Sequence, residues 1–234
     1  MTHFQILVED SSGEALLGHI VPKIIGEHNS YEIKHYKGIG RIPAGLKPGS
    51  DPKKRILLDQ LPRLVSGYGS VLSSYPETYP AVLVIVCDLD RRCLKEFRDS
   101  IMECIDRCLS KPETILCLAV EEGEAWLLGD TEAVVSAYPK ARTEILNSYI
   151  PDSICGTWEV LANAVHTGGA KALMGLGYQA VGGRKHEWAN AIGPLIHIDR
   201  NRSPSLKYFV EKLQARAASS SGTTQQPDAE DGSD

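Results

Sequence analysis

The run of seven apolar residues from Ala81 to Cys87 constrains the fold of this chain more than any other stretch. Four of the seven are β-branched. A continuous apolar run of this kind is typical of a strand that is buried on both faces, in a parallel sheet covered by helices. The run therefore predicts an α/β protein in which this segment is a central strand.

Two aspartates, Asp88 and Asp90, follow the run at a spacing of two residues. Because strand side chains alternate between faces, both carboxylates are expected on the same side of the strand's carboxyl end, where open α/β sheets bind ligands. Two carboxylates this close stay ionised together only if a cation neutralises them, and a hard divalent ion is the natural candidate. The pair predicts a metal site.

Charge and cysteine content narrow the class of protein. The net charge is −5, and removing the four acids of residues 217–234 leaves −1 for the preceding body. A nearly neutral body argues against a strongly basic nucleic-acid-binding coat but leaves a local basic patch open. The six cysteines form no C-x-x-C pair and follow no secretory signal, which predicts reduced core residues in a cytoplasmic protein. No apolar run approaches the roughly 20 residues of a membrane span, so no membrane contact is expected.

Acidic residues also follow two other predicted strands, at residues 4–8 and 114–120. The carboxyl ends of parallel strands lie at one edge of the sheet, so these acids are expected to gather there. A single acid after a strand is commonplace as a helix cap, and we prefer that interpretation for Glu121 and Glu122. The acids are Glu9 after the first strand, and Glu121, Glu122 and Glu124 after the later one.

The segments between these strands show helical periodicity. They predict a helix that is capped by Ser11 or Ser12 and reaches Ile25, a short strand at 31–37, a helix at about 56–65 interrupted at 67–69, and an amphipathic helix at 91–109. The Gly- and Pro-rich loop at 38–52, with its flanks, carries six basic residues. A solvated connection and a phosphate-contacting loop are equally open interpretations of this segment.

Three regions are predicted along the chain. Residues 1–138 form the α/β core. Residues 139–216 form a helical extension packed on it, with helices at 141–148, 157–165, 185–196 and about 201–215, and a Gly-rich loop at 175–183. Residues 217–234 form an acidic tail that is expected to be disordered.

The acid after the first strand and the Asp-x-Asp after the third, in a β-α-β-α-β-α-β succession, resemble the TOPRIM domain of primases, topoisomerases and overcoming-lysogenization-defect nucleases. The resemblance implies a TOPRIM-like, mostly parallel sheet flanked by helices. It implies proton transfer at a scissile phosphate by Glu9, and Mg²⁺ or Mn²⁺ held by Asp88 and Asp90, with Glu9 sharing the ion. The family usually has glycine where this chain has Asp10, and in its nuclease branch a second glutamate four residues after the first, where Glu14 is five away. Glu14 is the candidate for that further metal ligand.

Residues 119–130 and the stretch from Asn201 to Ser205 are similar to a group of small uncharacterised bacterial TOPRIM-like proteins. Members of that group often accompany an ATPase in genome-defence gene pairs. This similarity favours Glu124 as an additional carboxylate at the metal site. The implied function is a metal-dependent endonuclease that acts on DNA or RNA with an ATPase partner in antiviral defence.

Two other functions remain open. A haloacid-dehalogenase-type phosphatase also uses Asp-x-Asp after a strand, although normally after the first strand and without the Arg91-Arg92 that follows here. A TOPRIM-like scaffold that has lost activity would serve as a binding or regulatory module. The chain has no Gly-x-x-x-x-Gly-Lys-Ser/Thr sequence, so nucleotide hydrolysis by a P-loop is not expected.

Overall fold

A computed structural model describes residues 1–153 and 155–219, except the side chain of Ser219. The fold is α/β, and its strands are β1 (His3–Val8), β2 (Ser30–His35), β3 (Ala81–Asp88) and β4 (Thr114–Ala119). The helices are α1 (Ser11–Ile25), α2 (Leu61–Leu72), α3 (Leu94–Asp106), α4 (Glu124–Leu128), α5 (Thr131–Ala137), α6 (Thr143–Ser148), α7 (Thr157–Val165), α8 (Gly169–Met174), α9 (Tyr178–Ile192) and α10 (Pro204–Ser219), with 3₁₀ turns at Pro52–Lys54, Leu58–Gln60 and Gly193–Leu195.

The sheet is parallel throughout, in the order β2-β1-β3-β4, so the predicted central strand lies between two neighbours. Successive side chains of β3 enter two separate hydrophobic clusters, with Val84 and Val86 in one and Leu83 and Ile85 in the other. The seven-residue apolar run is therefore explained by helices that cover both faces. The α/β fold class is confirmed.

The register of the sheet brings the acid-bearing strand ends together. Val8 of β1 pairs with Val86 of β3, and Asp88 of β3 pairs with Ala119 of β4. Neighbouring strands lie roughly 5 Å apart, so residues just after these pairs share one edge of the sheet. The first and third strands are therefore neighbours in the sheet, and Glu9 and Asp88 follow or end adjacent strands.

Helices from the C-terminal half bury against the same core as the sheet. Lys23 of α1 donates hydrogen bonds to the carbonyl oxygens of Pro194 (2.7 Å) and Ile196 (2.9 Å), which follow α9. Trp126 of α4 lies 5.1 Å from Phe209 of α10, ring centroid to ring centroid. The Lys23 hydrogen bonds fix the end of α9 beside α1, which begins two residues after Glu9.

Several predicted boundaries are wrong. Gly67 and Gly69 lie inside α2, where a Cβ on Gly69 would come within 2.6 Å of the Ser110 backbone, so that glycine permits close packing of the chain. Residues 178–183 belong to α9 rather than to a Gly-rich loop. The N-cap of α1 is Asp10 instead of Ser11 or Ser12.

The predicted tail overlaps the end of the last helix. Residues 217–219 continue α10, and residues 220–234 lie outside the described part of the chain. Within the described ranges, no helix is long and apolar enough to cross a membrane.

Candidate functional site: an acidic pocket at the sheet edge

A small pocket opens at the carboxyl ends of β1, β3 and β4. Its polar lining consists chiefly of Glu9, Asp10, Asp88, Glu124 and Lys185, and we call it the acidic pocket. It encloses a cavity of about 30 Å³. A water molecule needs roughly 10–15 Å³ by this kind of measure, so the pocket has room for one or two waters or a small ion.

Glu9 and Asp88 form the centre of the acidic pocket. The backbone N–H of Asp88 donates to Oε2 of Glu9 at 3.3 Å, which holds the two carboxyl groups at neighbouring strand ends. Burial raises the pKa of Glu9 to about 7, and the negative charges of Asp10 and Asp90 raise it further. The hydrogen bond from the Asp88 N–H acts in the opposite direction, because it favours the ionised carboxylate. Burial, followed by the charge of Glu9, raises the pKa of Asp88 well above its usual range. Near neutral pH the pair therefore either retains a proton or requires a nearby cation.

The cation present is the ammonium group of Lys185, from α9. Its Nζ lies 3.0 Å from Oε2 of Glu124 and 3.7 Å from Oε2 of Glu122, and its side chain is only 16% exposed. Burial opposes the charge of Lys185, but the charges of Glu124, Asp88 and Glu122 outweigh it and raise the pKa of the ammonium. Burial also raises the pKa of Glu124, although the adjacent ammonium partly offsets that rise. Lys185 thus neutralises part of a carboxylate cluster that surrounds it.

Asp10 joins the pocket wall to the start of α1. Its Oδ1 accepts a hydrogen bond from the backbone N–H of Gly13 at 2.7 Å, and the Ser12 hydroxyl donates to both of its carboxylate oxygens. A Cβ on Gly13 would lie 2.5 Å from Cγ2 of Val8, so the turn packs directly onto the end of β1. The residue that departs from the TOPRIM pattern is therefore a helix cap and a source of negative charge beside Glu9.

Two predicted ligands lie outside the pocket lining. Glu14 pairs with His35, with Oε2 2.6 Å from Nδ1, at a half-exposed position. Asp90 follows the end of β3 with a φ of 51°, and its carboxylate pairs with Arg92 at 2.6 Å. Side-chain alternation does not extend to Asp90 because the strand ends at Asp88. The charge of Asp90 still contributes to the raised pKa of Glu9.

Glu121 and Glu122, which precede Glu124, differ in their hydrogen-bond partners. Oε2 of Glu122 accepts from the backbone N–H of Trp158 at 3.4 Å, so Glu122 caps the start of α7 instead of α4. Glu121 is buried with a φ of 73°, and no described group donates a hydrogen bond to its Oε2. Burial, and then the charge of Asp152, raises the pKa of Glu121 to about 7.

The carboxylates fit a divalent ion by chemistry and by space. Within residues 1–153 and 155–219, no three His, Cys, Asp or Glu side chains are grouped closely enough to hold a metal. Mg²⁺ does not require three, because it is commonly bound through one or two carboxylates together with waters and phosphate oxygens. Glu9 and Asp88 supply such a pair, both partly exposed to the cavity. Glu124 is the third candidate, once Lys185 releases it.

Lys185 and Asp10 are the site residues that the sequence analysis missed. Lys185 belongs to a helix far along the chain, and no spacing pattern connects it to the strand ends. Asp10 could have been predicted as the N-cap of α1, because Asp is favoured at that position. The residue three positions later, Gly13, has the backbone N–H that donates to the cap. Glu9, Asp88 and Glu124, in contrast, lie together as expected for acids that follow parallel strands.

Glu9→Gln is expected to stabilise the protein above about pH 7. A carboxyl group whose pKa is higher in the folded than in the unfolded state costs stability as pH rises from about 4.5 to about 7, because the unfolded chain gives up the proton more readily. The full cost remains above that window, and glutamine removes it while its Oε1 can still accept from Asp88. We expect a gain on the order of 1–3 kcal/mol at pH 8 and little at pH 4. Urea unfolding at both pH values measures it, with Glu14→Gln as the control outside the pocket, and a loss of stability at pH 8 would contradict this electrostatic description.

Comparison with known proteins gives one family match. A family model described as "Domain of unknown function (DUF4276)" matches residues 8–214. No curated protein and no solved structure matches the chain. The matched range includes every residue of the acidic pocket.

Proposed function

The chain belongs to the DUF4276 family, whose model covers most of its length, and we propose that the acidic pocket is the active site of a metal-dependent nuclease. The observation that carries the proposal is the pair of carboxyl groups of Glu9 and Asp88, which lie at neighbouring strand ends in the pocket. Two carboxyl groups are held together at the edge where parallel α/β sheets bind ligands, and both have raised pKa values. Such groups are characteristic of catalytic sites.

Glu9 and Asp88 would hold Mg²⁺ or Mn²⁺, and Glu124 would join them. When bound, the ion would polarise the phosphodiester and stabilise the charge that develops on it. These carboxylates offer hard oxygen ligands, as that ion requires. This assignment agrees with the TOPRIM resemblance for Glu9 and Asp88. It gives Asp90 a more distant electrostatic role.

Two side chains of the pocket have further tasks in hydrolysis. Glu9 is the carboxylate that can accept a proton from the water that attacks phosphorus, the role that the TOPRIM resemblance implies for it. Lys185 keeps its positive charge inside the pocket and can face the anionic phosphate. Its Nζ also lies 3.7 Å from Oε2 of Glu122, which can keep the ammonium in the pocket when Glu124 binds the ion.

The proposal includes a partner and a setting. The similarity to TOPRIM-like proteins that accompany ATPases supports an ATPase partner, action on DNA or RNA in genome defence, and a cytoplasmic location. The near-neutral charge of residues 1–216 also supports a partner, since affinity for nucleic acid grows with the number of phosphates neutralised. The isolated chain is accordingly expected to cut slowly.

A catalytically inactive binding or regulatory module is the second candidate. One observation favours it, namely that Lys185 already neutralises the Glu124 carboxylate without a metal ion. Cleavage of labelled DNA and RNA, with and without Mg²⁺ and with any ATPase partner supplied, separates the two functions. Cleavage that is abolished by a chelator supports the nuclease, and no cleavage under any of these conditions supports the inactive module.

Mg²⁺ is expected to raise the melting temperature of the wild-type chain, because an ion that binds only the folded state stabilises it by mass action. At an ion concentration about 100 times the dissociation constant, the gain is about 2.7 kcal/mol. Asp88→Asn removes one of the two proposed ligands and should abolish most of the shift, whereas Glu14→Gln should preserve it. Equal shifts for wild type and Asp88→Asn would place the ion elsewhere.

A further inference from the structure

A second concave surface lies beside the acidic pocket, between the loop after β2 and helix α3. It is an open groove of about 500 Å³, and we call it the arginine groove. Three arginines line it, Arg41 from the loop and Arg92 and Arg107 from either end of α3, and all three are exposed. The one acid among its described lining residues is Glu103.

Two connections join the arginine groove to the acidic pocket. On the loop side, the backbone N–H of Gly38 donates to the carbonyl oxygen of Glu9 at 2.9 Å, so the loop begins at the pocket's own strand end. On the helix side, Arg92 pairs with Asp90, two residues beyond Asp88. A polymer that lies in the groove would therefore continue towards Glu9 and Asp88.

The wall of the groove is built in a fixed shape. Gly40 has a φ of 71°, and a Cβ there would lie 2.1 Å from Cγ2 of Ile56, so only glycine fits. The backbone N–H of Arg41 donates to Oδ1 of Asp59 at 2.8 Å, which anchors the turn. Nη1 of Arg107 donates to the carbonyl oxygen of Ala44 at 3.3 Å and so connects the helix to the loop.

The guanidinium groups of the groove retain capacity for a ligand. In the described part of the chain, no carboxylate forms an ion pair with Arg41 or Arg107, and Arg92 alone has one. The Arg92 guanidinium also lies 4.7 Å from the ring centroid of Phe97, which is another lining residue of the groove. Arginine presents donors in a planar fork that matches phosphate oxygens.

Charge is distributed unevenly along the chain around this groove. Residues 37–63 contain seven basic and two acidic residues, a net charge of +5. Since residues 1–216 sum to −1, the rest of that range carries −6. A polyanion would therefore be attracted to this side of the molecule in spite of the neutral average.

We infer that the arginine groove binds the phosphate backbone of the nucleic acid strand whose scissile phosphate lies in the acidic pocket. This inference rests on the proposed function for the position of the cut, but the groove's affinity for nucleic acid can be measured without any cleavage. Guanidinium groups that contact phosphates confer affinity without base specificity. Binding should therefore be measurable at low salt, weaken as the salt concentration rises, and be largely independent of sequence.

The test is binding of fluorescein-labelled single-stranded DNA and RNA oligonucleotides to the full chain, in a chelator, over a range of salt concentrations. The double variant Arg41→Ala, Arg107→Ala should bind roughly tenfold more weakly, and its plot of log affinity against log salt should be shallower by about two, one for each lost phosphate contact. Glu103→Gln should bind more tightly than wild type.

The matched control removes two exposed arginines outside the groove, as Arg98→Ala, Arg202→Ala. It should retain the wild-type salt slope, and equal weakening by both double variants would overturn the inference in favour of diffuse attraction. No binding by the wild-type chain would also overturn it. If the groove variant loses affinity as expected while the wild type never cuts, the groove stands and the proposed function fails. If the wild type cuts and the groove variant binds and cuts equally well, the function stands and the groove is wrong.

Discussion

Lys185→Met is expected to destabilise the protein by about 3–5 kcal/mol, the usual cost of leaving one member of a buried ion pair without its partner. Methionine retains the bulk of the lysine stem but removes the ammonium that lies 3.0 Å from Glu124. The Glu124 side chain is only 4% exposed, and among the described residues the Lys185 ammonium is the charged group that lies beside its buried Oε2. Thermal or urea unfolding at pH 8 measures the loss.

The loss should depend on pH, in a direction that identifies its cause. Without Lys185, the folded state favours the protonated form of Glu124, because burial raises the pKa of this carboxyl group. The variant should therefore lose further stability as pH rises above the unfolded pKa of glutamate, about 4.3. A loss of the same size at pH 4 and pH 8 would indicate that only packing has been damaged.

Glu124→Gln provides the control for the pair. If the ammonium acts chiefly on Glu124, the double variant Lys185→Met, Glu124→Gln should be more stable than Lys185→Met alone, because no buried charge remains unpaired. Lys185→Met should also show a larger stabilisation by Mg²⁺ than wild type, since the ion no longer competes with the ammonium. A double variant that is less stable than either single variant would contradict the proposed coupling.

The central position of β3 could be predicted from sequence because burial on both faces leaves a clear pattern. The run at 81–87 indicated a central strand, and the acids after successive strands then had to share an edge. Glu9 and Asp88 meet for that reason. Asp90 did not follow, because β3 ends at Asp88 and the chain turns with a positive φ at Asp90, although backbone hydrogen bonds to the segment after β4 continue.

The errors in the C-terminal half come from tertiary packing. Gly182 and Gly183 suggested a loop, yet they lie on an exposed side of α9, while Val181, Trp188 and Ile192 are buried in the shared core. Burial of that apolar face outweighs the roughly 1 kcal/mol that each glycine costs a helix. The same packing directs Lys185 into the acidic pocket, and no local pattern in the sequence encodes a contact between α9 and the end of β3.

Cleavage by four proteins tests the central claim most directly: wild type, Glu9→Gln, Asp88→Asn and Glu14→Gln, each supplied with any ATPase partner that the proposed activity needs. Each substitution retains side-chain size and removes one carboxylate. Glu14 lies one turn of α1 from Asp10 but pairs with His35 outside the pocket. The TOPRIM resemblance makes Glu14 a metal ligand and the geometry of the pocket does not, so the Glu14→Gln variant distinguishes the two assignments.

We predict that Glu9→Gln and Asp88→Asn lower the rate of Mg²⁺-dependent cleavage of DNA or RNA by at least about 100-fold, the lower range for loss of a positioned acid or base, while both remain folded. Glu14→Gln should cut at the wild-type rate. Wild-type rates for Glu9→Gln and Asp88→Asn would contradict the account, because the acidic pocket would then not be where nucleic acid is cut.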